Sequence, residues 1–351
     1  ARYRPDPMST RRHGIGRRRW RASVLAVASL AALGFPSGAA VAAASPQSPV
    51  KHVFIVVLEN ARASEVTGPR FSTTMPYLAS LAAKGVTLDQ MYAIGHASLG
   101  NYIALTSGYA PNPKTSADCF LYDCIYPAGQ DDNVANQLEA KHRTWKAYLD
   151  GIDQPCQHPL FPGTPDPYQS GYATRHNPFV YYASIVDDAT RCRNHVVPFP
   201  RLATDLAVNR APSYAFISPS TCHDAHDRGS SCGLERADVW MSQHVQPILT
   251  SKAYQDGGVL IITTDESEIN HTSGCCGNAA GGHIATFIVS PLIARPGSHT
   301  TTAYTHYSTL RWIENSFGLA CLRHACDSRT SVFGSDIFNA VASTTVKTAT
   351  S

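Results

Sequence analysis

The sequence predicts an α/β sandwich built around a mostly parallel sheet, and three observations carry that reading. Short apolar runs rich in β-branched residues alternate along the chain with stretches of helical spacing, the order that yields parallel strands joined by helical crossovers. Hydrophobic residues make up 43% of the 351 and charged residues 16%, which is enough apolar surface for a sizeable core and excludes global disorder. Acidic or amide residues stand directly after the most apolar runs, at the strand ends where open parallel sheets bind ligands.

Taken in order, residues 1–44 hold eight arginines against the single acid Asp6, so beneath an overall charge of +3 the remainder carries four net negative charges. A mildly acidic body with no basic stripe argues against nucleic acid as the main partner. Met8 reads as a start, followed by the charged STRRHGIGRRRWRAS, the apolar VLAVASLAALGF and, at 40–45, the small residues AVAAAS. That order predicts a secretory signal peptide over 1–44, by the Sec route or, through Arg11-Arg12 or Arg17-Arg18, the twin-arginine route. The competing reading is an uncleaved anchor, but the apolar run falls short of a span, and no stable membrane insertion is expected after cleavage.

From residue 45 to 338 the pattern predicts one domain. HVFIVVL (52–58) is a buried parallel strand, MPYLASLAAKG (75–85) a helix ending at Gly85, VTLDQMYAI (86–94) a strand, and LGNYIALTSG (99–108) a helix ending at Gly108. TWKAYL, SYAFIS, GVLIITT and ATFIVS follow as strands, with ERADVWMSQHVQPILTS and YSTLRWIENSFG as helices. Residues 109–131 and 151–200, rich in Pro, Gly, Asn, Tyr and Cys, show no period and read as surface excursions; residues 339–351 read as a disordered tail. All ten cysteines fall after residue 44, and Cys119 with Cys124, Cys222 with Cys232, and Cys321 with Cys326 read as disulfides of an exported protein. A zinc cluster is the alternative, but no C-x-x-C pair exists; the vicinal Cys275-Cys276 can close on itself or reach elsewhere.

Glu59-Asn60 follow the first strand and Asp265-Glu266 follow GVLIITT. Taken singly, each can cap the next turn. Converging carboxylates, however, repel one another unless a cation neutralises them. Ser98 stands at a strand-to-helix turn, as an N-cap or, beside a cation, as an activated nucleophile. The alternating His223-Asp224 and His226-Asp227 lie beyond SYAFIS, where they can ligate a second cation, protonate a leaving oxygen, or simply form a polar loop tied by Cys222 and Cys232. His283 and His306 complete the histidine set, the latter equally a helix-start residue.

The succession of Glu59-Asn60, HASLGNYIALTSG, HDAHD, ITTDE, HIATFIVSP and THYSTLRWIENSFGL resembles the bacterial phosphoesterase family of secreted acid phosphatases and phospholipases C, within the alkaline phosphatase superfamily, over residues 51–320. It looks closest to the actinobacterial acid phosphatases that act on phosphatidylinositol 3-phosphate. The resemblance implies a three-layer, alkaline-phosphatase-like α/β/α sandwich. It also implies a divalent metal (calcium, magnesium, manganese or zinc) held by Glu59, Asn60, Ser98, Asp265 and Glu266. Ser98 would attack phosphorus, with His226 or His223 protonating the leaving oxygen, and His96, Asn101, Asp224, Asp227 and His283 would line the substrate site. The expected partner is a phosphorylated small molecule or phospholipid head group. Ala97 and Gly100 stand where the family commonly has prolines, and an insert, SEINHTSGCCGN, follows Glu266. Three alternatives stand beside a monoesterase. A phospholipase C-type diesterase would use the same groups. A metal-independent serine esterase would read GHASLG as a lipase elbow, although His96 occupies the position where that elbow has glycine. A disulfide-rich binding protein leaves the strand-end carboxylates unexplained.

Overall fold

A computed structural model describes residues 49–160, 162–164, 171–229 and 231–339. The expected signal peptide lies outside those residues. So does the expected tail apart from Asn339, whose N–H donates to the Leu292 carbonyl at 2.9 Å.

Among the described residues, eleven strands form two sheets. They are β1 (His52–Leu58), β2 (Val86–Leu88), β3 (Met91–Tyr92), β4 (Trp145–Leu149), β5 (Val196–Pro198), β6 (Tyr214–Ser218), β7 (Gly258–Thr264), β8 (His283–Ile284), β9 (Thr286–Val289), β10 (Ser298–Thr300) and β11 (Tyr304–Thr305). The main sheet runs β10-β2-β9-β7-β1-β6-β4-β5 and the small one β11-β3-β8. In the main sheet β9 alone runs against the rest, pairing antiparallel with β2 and β7.

The continuous apolar run of β1 is explained by burial on both faces. Val53, Ile55 and Val57 pack with Leu99, Tyr102, Ile103, Leu310 and Trp312 of the helices Ser98–Ser107 and His306–Phe317. Phe54, Val56 and Leu58 pack on the other face with Leu78, Leu81, Trp240 and Met241 of the helices Pro76–Ala82 and Leu234–His244. Three layers result, the architecture expected.

Two expectations change. VTLDQMYAI breaks at Asp89-Gln90 into β2 of the main sheet and β3 of the small one. The 151–200 stretch is no mere surface excursion: it contributes the edge strand β5, the helix Ala189–His195, and the fully buried Phe179, Val180, Tyr181 and Tyr182. Its aromatics are spaced for filling a hole against Trp145 and Phe216 rather than for a regular element, so it shows no period. Three of the five disulfides, Cys119–Cys124, Cys222–Cys232 and Cys321–Cys326, join the expected neighbours. Cys275–Cys276 closes on itself, and Cys156 pairs with Cys192.

Candidate active site

β1 and β7 lie side by side in register, Leu58 opposite Thr264, so the residues that leave their carboxyl ends emerge together. The Asp265 N–H donates to the Leu58 carbonyl at 2.9 Å, and the Asn60 N–H to Asp265 Oδ1 at 3.1 Å. From the neighbouring β6, the loop that follows brings the Asp224 carbonyl to accept the Glu59 N–H at 2.7 Å. Asn60 sits at φ 48° and Ala225 at φ 79°, left-handed conformations that side-chain-bearing residues rarely hold and that concentrate at functional loops.

None of these carboxylates caps a helix. The helix that follows Glu59 has Arg62 as its N-cap, with no side-chain bond. Ser98 is not an N-cap either. Ala97 holds that position, and the Leu99 N–H is taken by Asp118 Oδ1 at 3.0 Å. The Ser98 hydroxyl donates instead to Glu59 Oε2 at 2.9 Å and lies 3.5 Å from Glu266 Oε1. Tyr102, one turn along the same helix, donates its hydroxyl to Glu59 Oε1 at 2.6 Å.

Four buried carboxylates therefore gather in one bowl beside Ser98, centred on Glu59: Glu59, Asp224, Asp265 and Glu266 are all 5% exposed or less. Burial raises Glu59, with Asp265 and Asp224 adding repulsion; burial and Glu266 raise Asp265. Burial also raises Asp224 and Glu266, the latter opposed by His96. His176 stacks on Tyr102 with its nitrogens 3.4 Å from Glu59 Oε1 and 3.2 Å from Asp224 Oδ2, in hydrogen-bond geometry to neither. Burial holds it well below the usual imidazole range. Asp224 Oδ2 and Asp265 Oδ2 likewise make no hydrogen bond. Oxygen and imidazole donors left unpaired in a dry, anionic bowl are what a divalent cation requires, so the residues present fit a metal. Glu59, His176 and Asp224 offer ligand atoms within 4.8 Å of one another.

The other expected site residues are distributed as follows. His96 Nδ1 pairs with Glu266 Oε2, which raises its pKa, and its Nε2 lies 3.3 Å from the His271 carbonyl. The backbone N–H of His226 donates to Asp224 Oδ1 at 2.8 Å, its Nδ1 lies 3.0 Å from Asp227 Oδ1, and its ring lies 5.6 Å from that of His176. Asp227 also accepts the Thr221 hydroxyl at 2.6 Å.

Four others take up different tasks. His223 engages Asp150 Oδ2 and Ser220 Oγ, each at 2.8 Å, and stacks near Trp240, because the turn from Ser220 directs it toward the end of β4. Asn101 braces the turn ahead of Ser98: Oδ1 accepts the N–H groups of Ile94 and Gly95, and Nδ2 donates to the carbonyls of Gly95 and Ala97. His283 donates to the Asp89 carbonyl at 2.8 Å and stacks on Tyr92. His306 donates to the Asp265 main-chain carbonyl at 2.5 Å, which gives it no Ser98 contact of the kind a serine esterase uses.

His176, Arg175, Asp118 and Tyr102 were not among the residues singled out from sequence. The first two lie in the aperiodic 151–200 stretch, where a basic pair after β4 was the only available signal.

A largely parallel sheet with helices on both faces gives this chain an alkaline-phosphatase-like fold. A protein of the alkaline phosphatase superfamily from Vibrio parahaemolyticus shares the fold at TM-score 0.53, covering 83% of this chain and 72% of its own, with 13% identity. The lipoteichoic acid synthase LtaP of Listeria monocytogenes matches at 0.51 over 78% and 74%, also with 13% identity. More narrowly, the chain belongs to the Phosphoesterase family, whose model matches residues 70–320. It is 28% identical over 292 residues to an acid phosphatase of Aspergillus fumigatus, covering 81% of this chain and 60% of that protein. It is 25% identical over 277 residues to a phosphatidylinositol-3-phosphatase of Mycobacterium tuberculosis, covering 79% and 80%. The chain spans about 60% of the length of the first fungal relatives it matches.

Proposed function

We propose that this chain is an exported, metal-dependent phosphatase that cleaves phosphate monoesters, phosphatidylinositol 3-phosphate among the candidates, through a phosphoserine on Ser98. The observation that carries the reading is the Ser98 hydroxyl 2.9 Å from Glu59 Oε2 within a bowl of buried carboxylates. Kinship with acid phosphatases and a phosphatidylinositol-3-phosphatase supports the substrate class. The five disulfides fit an oxidising compartment, and no helix among the described residues is long and apolar enough to cross a membrane.

Glu59, Asn60, Ser98, Asp265 and Glu266 would hold the metal, with His176 and Asp224 as further donors. When bound, the ion supplies positive charge against the transferring phosphoryl oxygens and the serine oxygen. Glu59, fixed by Tyr102, orients the Ser98 hydroxyl and accepts its proton as the Oγ–P bond forms and the bond from phosphorus to the alcohol oxygen breaks. His226 delivers a proton to the leaving oxygen; His223, turned to Asp150, takes no part. Water then cleaves the phosphoserine.

The test is phosphate release from a chromogenic monoester. Ser98→Ala should lose at least about 10³-fold in kcat with its fold unchanged. Dialysis against a strong chelator should abolish wild-type turnover, with recovery on adding a divalent ion. Undiminished turnover in either arm overturns the reading.

A further inference from the structure

Arg175 lies over the same bowl. It sits in the short helical turn Thr174–His176, next to His176, and its side chain is only 11% exposed. Its guanidinium joins two loops that border the bowl. Nε is 3.7 Å from Asp118 Oδ2, the carboxylate that takes the Leu99 N–H at the start of the Ser98 helix. Nη2 is 3.2 Å from His226 Nε2, beyond Asp224. His226 Nδ1 faces Asp227 Oδ1 at 3.0 Å and carries the ring proton, so Nε2 accepts from the arginine.

A planar, permanently charged fork is thus held at the mouth of a site whose floor is carboxylate. A guanidinium binds phosphate oxygens in pairs, which an ammonium cannot do with the same geometry. The anions it meets differ in charge: a phosphate monoester carries close to two negative charges at neutral pH, a diester one.

We propose that Arg175 grips the phosphoryl oxygens of the substrate and selects monoesters over diesters. This rests on the reading of Ser98 as the phosphoryl acceptor and sharpens it to a substrate class. Arg175 exchanges its contact with His226 for the phosphoryl group, which frees His226 Nε2 to take from solvent the proton that it hands to the leaving oxygen.

The experiment uses the full chain as wild type, Arg175→Gln and Arg175→Lys. Affinity for inorganic phosphate is measured by calorimetry, and kcat/KM for p-nitrophenyl phosphate and for methyl p-nitrophenyl phosphate. Arg175→Gln should weaken phosphate binding at least about 10-fold. It should also lower the monoester-to-diester ratio of kcat/KM about 100-fold, the scale for removing one charged donor. Arg175→Lys should fall between, and it decides the matter if the glutamine variant fails to fold. A ratio within about threefold of wild type overturns the assignment, however far both rates fall, because a structural arginine costs both esters alike. Should wild-type protein bind phosphate yet hydrolyse neither ester, the phosphatase reading fails, and phosphate affinity alone decides for Arg175: loss upholds it, no change overturns it.

Discussion

At the scale of single residues, Ser98 shows how a capping position becomes a reactive one. Its helix start is already satisfied by Asp118, so the hydroxyl is directed to Glu59. The turn that presents it depends on Asn101, whose Oδ1 is the acceptor for two main-chain N–H groups. Asn101→Ala should therefore destabilise by about 2–4 kcal/mol, measured by urea unfolding, and reduce activity along with it. An unchanged midpoint would place the support of the turn elsewhere. Glu59, Asn60, Asp265 and Glu266 were legible in the sequence because each directly follows a strand whose apolarity announces it. Asp118, Arg175 and His176 were not, because their positions depend on long loops folding back rather than on any local period. His223 and His226 look equivalent in HDAHD, and only the turn at Ser220 separates them.

At the scale of elements, the helix His306–Phe317 carries a group with a measurable pH signature. Glu314 is fully buried; Oε1 accepts the Leu322 N–H at 2.8 Å and Oε2 makes no hydrogen bond. Burial pushes its carboxyl from 4.5 up to about 8. The folded state then holds a proton that the unfolded state releases at lower pH, so this group's contribution is intact below pH 4.5 and is lost as pH rises through 8. Glu314→Gln, which keeps an acceptor for Leu322, should stabilise by about 2 kcal/mol at pH 9 and change little at pH 4. Equal effects at both pH values would contradict the assigned ionisation. The seven-residue strands β1 and β7 were readable to the residue. Strands of two or three residues such as β3 and β10 were not, since so short a run carries no alternation to detect.

At the scale of the whole molecule, a sheet of standard topology fixes half of the bowl and disulfide-bound loops supply the rest. Cys156–Cys192 closes the segment that contains Arg175 and His176, with a sequence separation of 36. Replacing both cysteines with serine should cost about 3–4 kcal/mol of stability and lower kcat/KM for a monoester more than thermal unfolding alone explains, while the far-ultraviolet circular dichroism stays native. Full activity in that variant would mean that packing of Phe179 to Tyr182 suffices to hold the loop. The three-layer order was legible because alternate residues of one apolar strand must find a helix on each face; how the 151–200 loops cover the bowl was not, because their aromatics follow the shape of the space they fill. The most direct test of the central claim is to quench a reaction with a phosphate monoester in acid during turnover and map the protein by mass spectrometry. Phosphate should appear on the peptide bearing Ser98 and be absent in Ser98→Ala. An unmodified Ser98, with turnover persisting in the alanine variant, would contradict it.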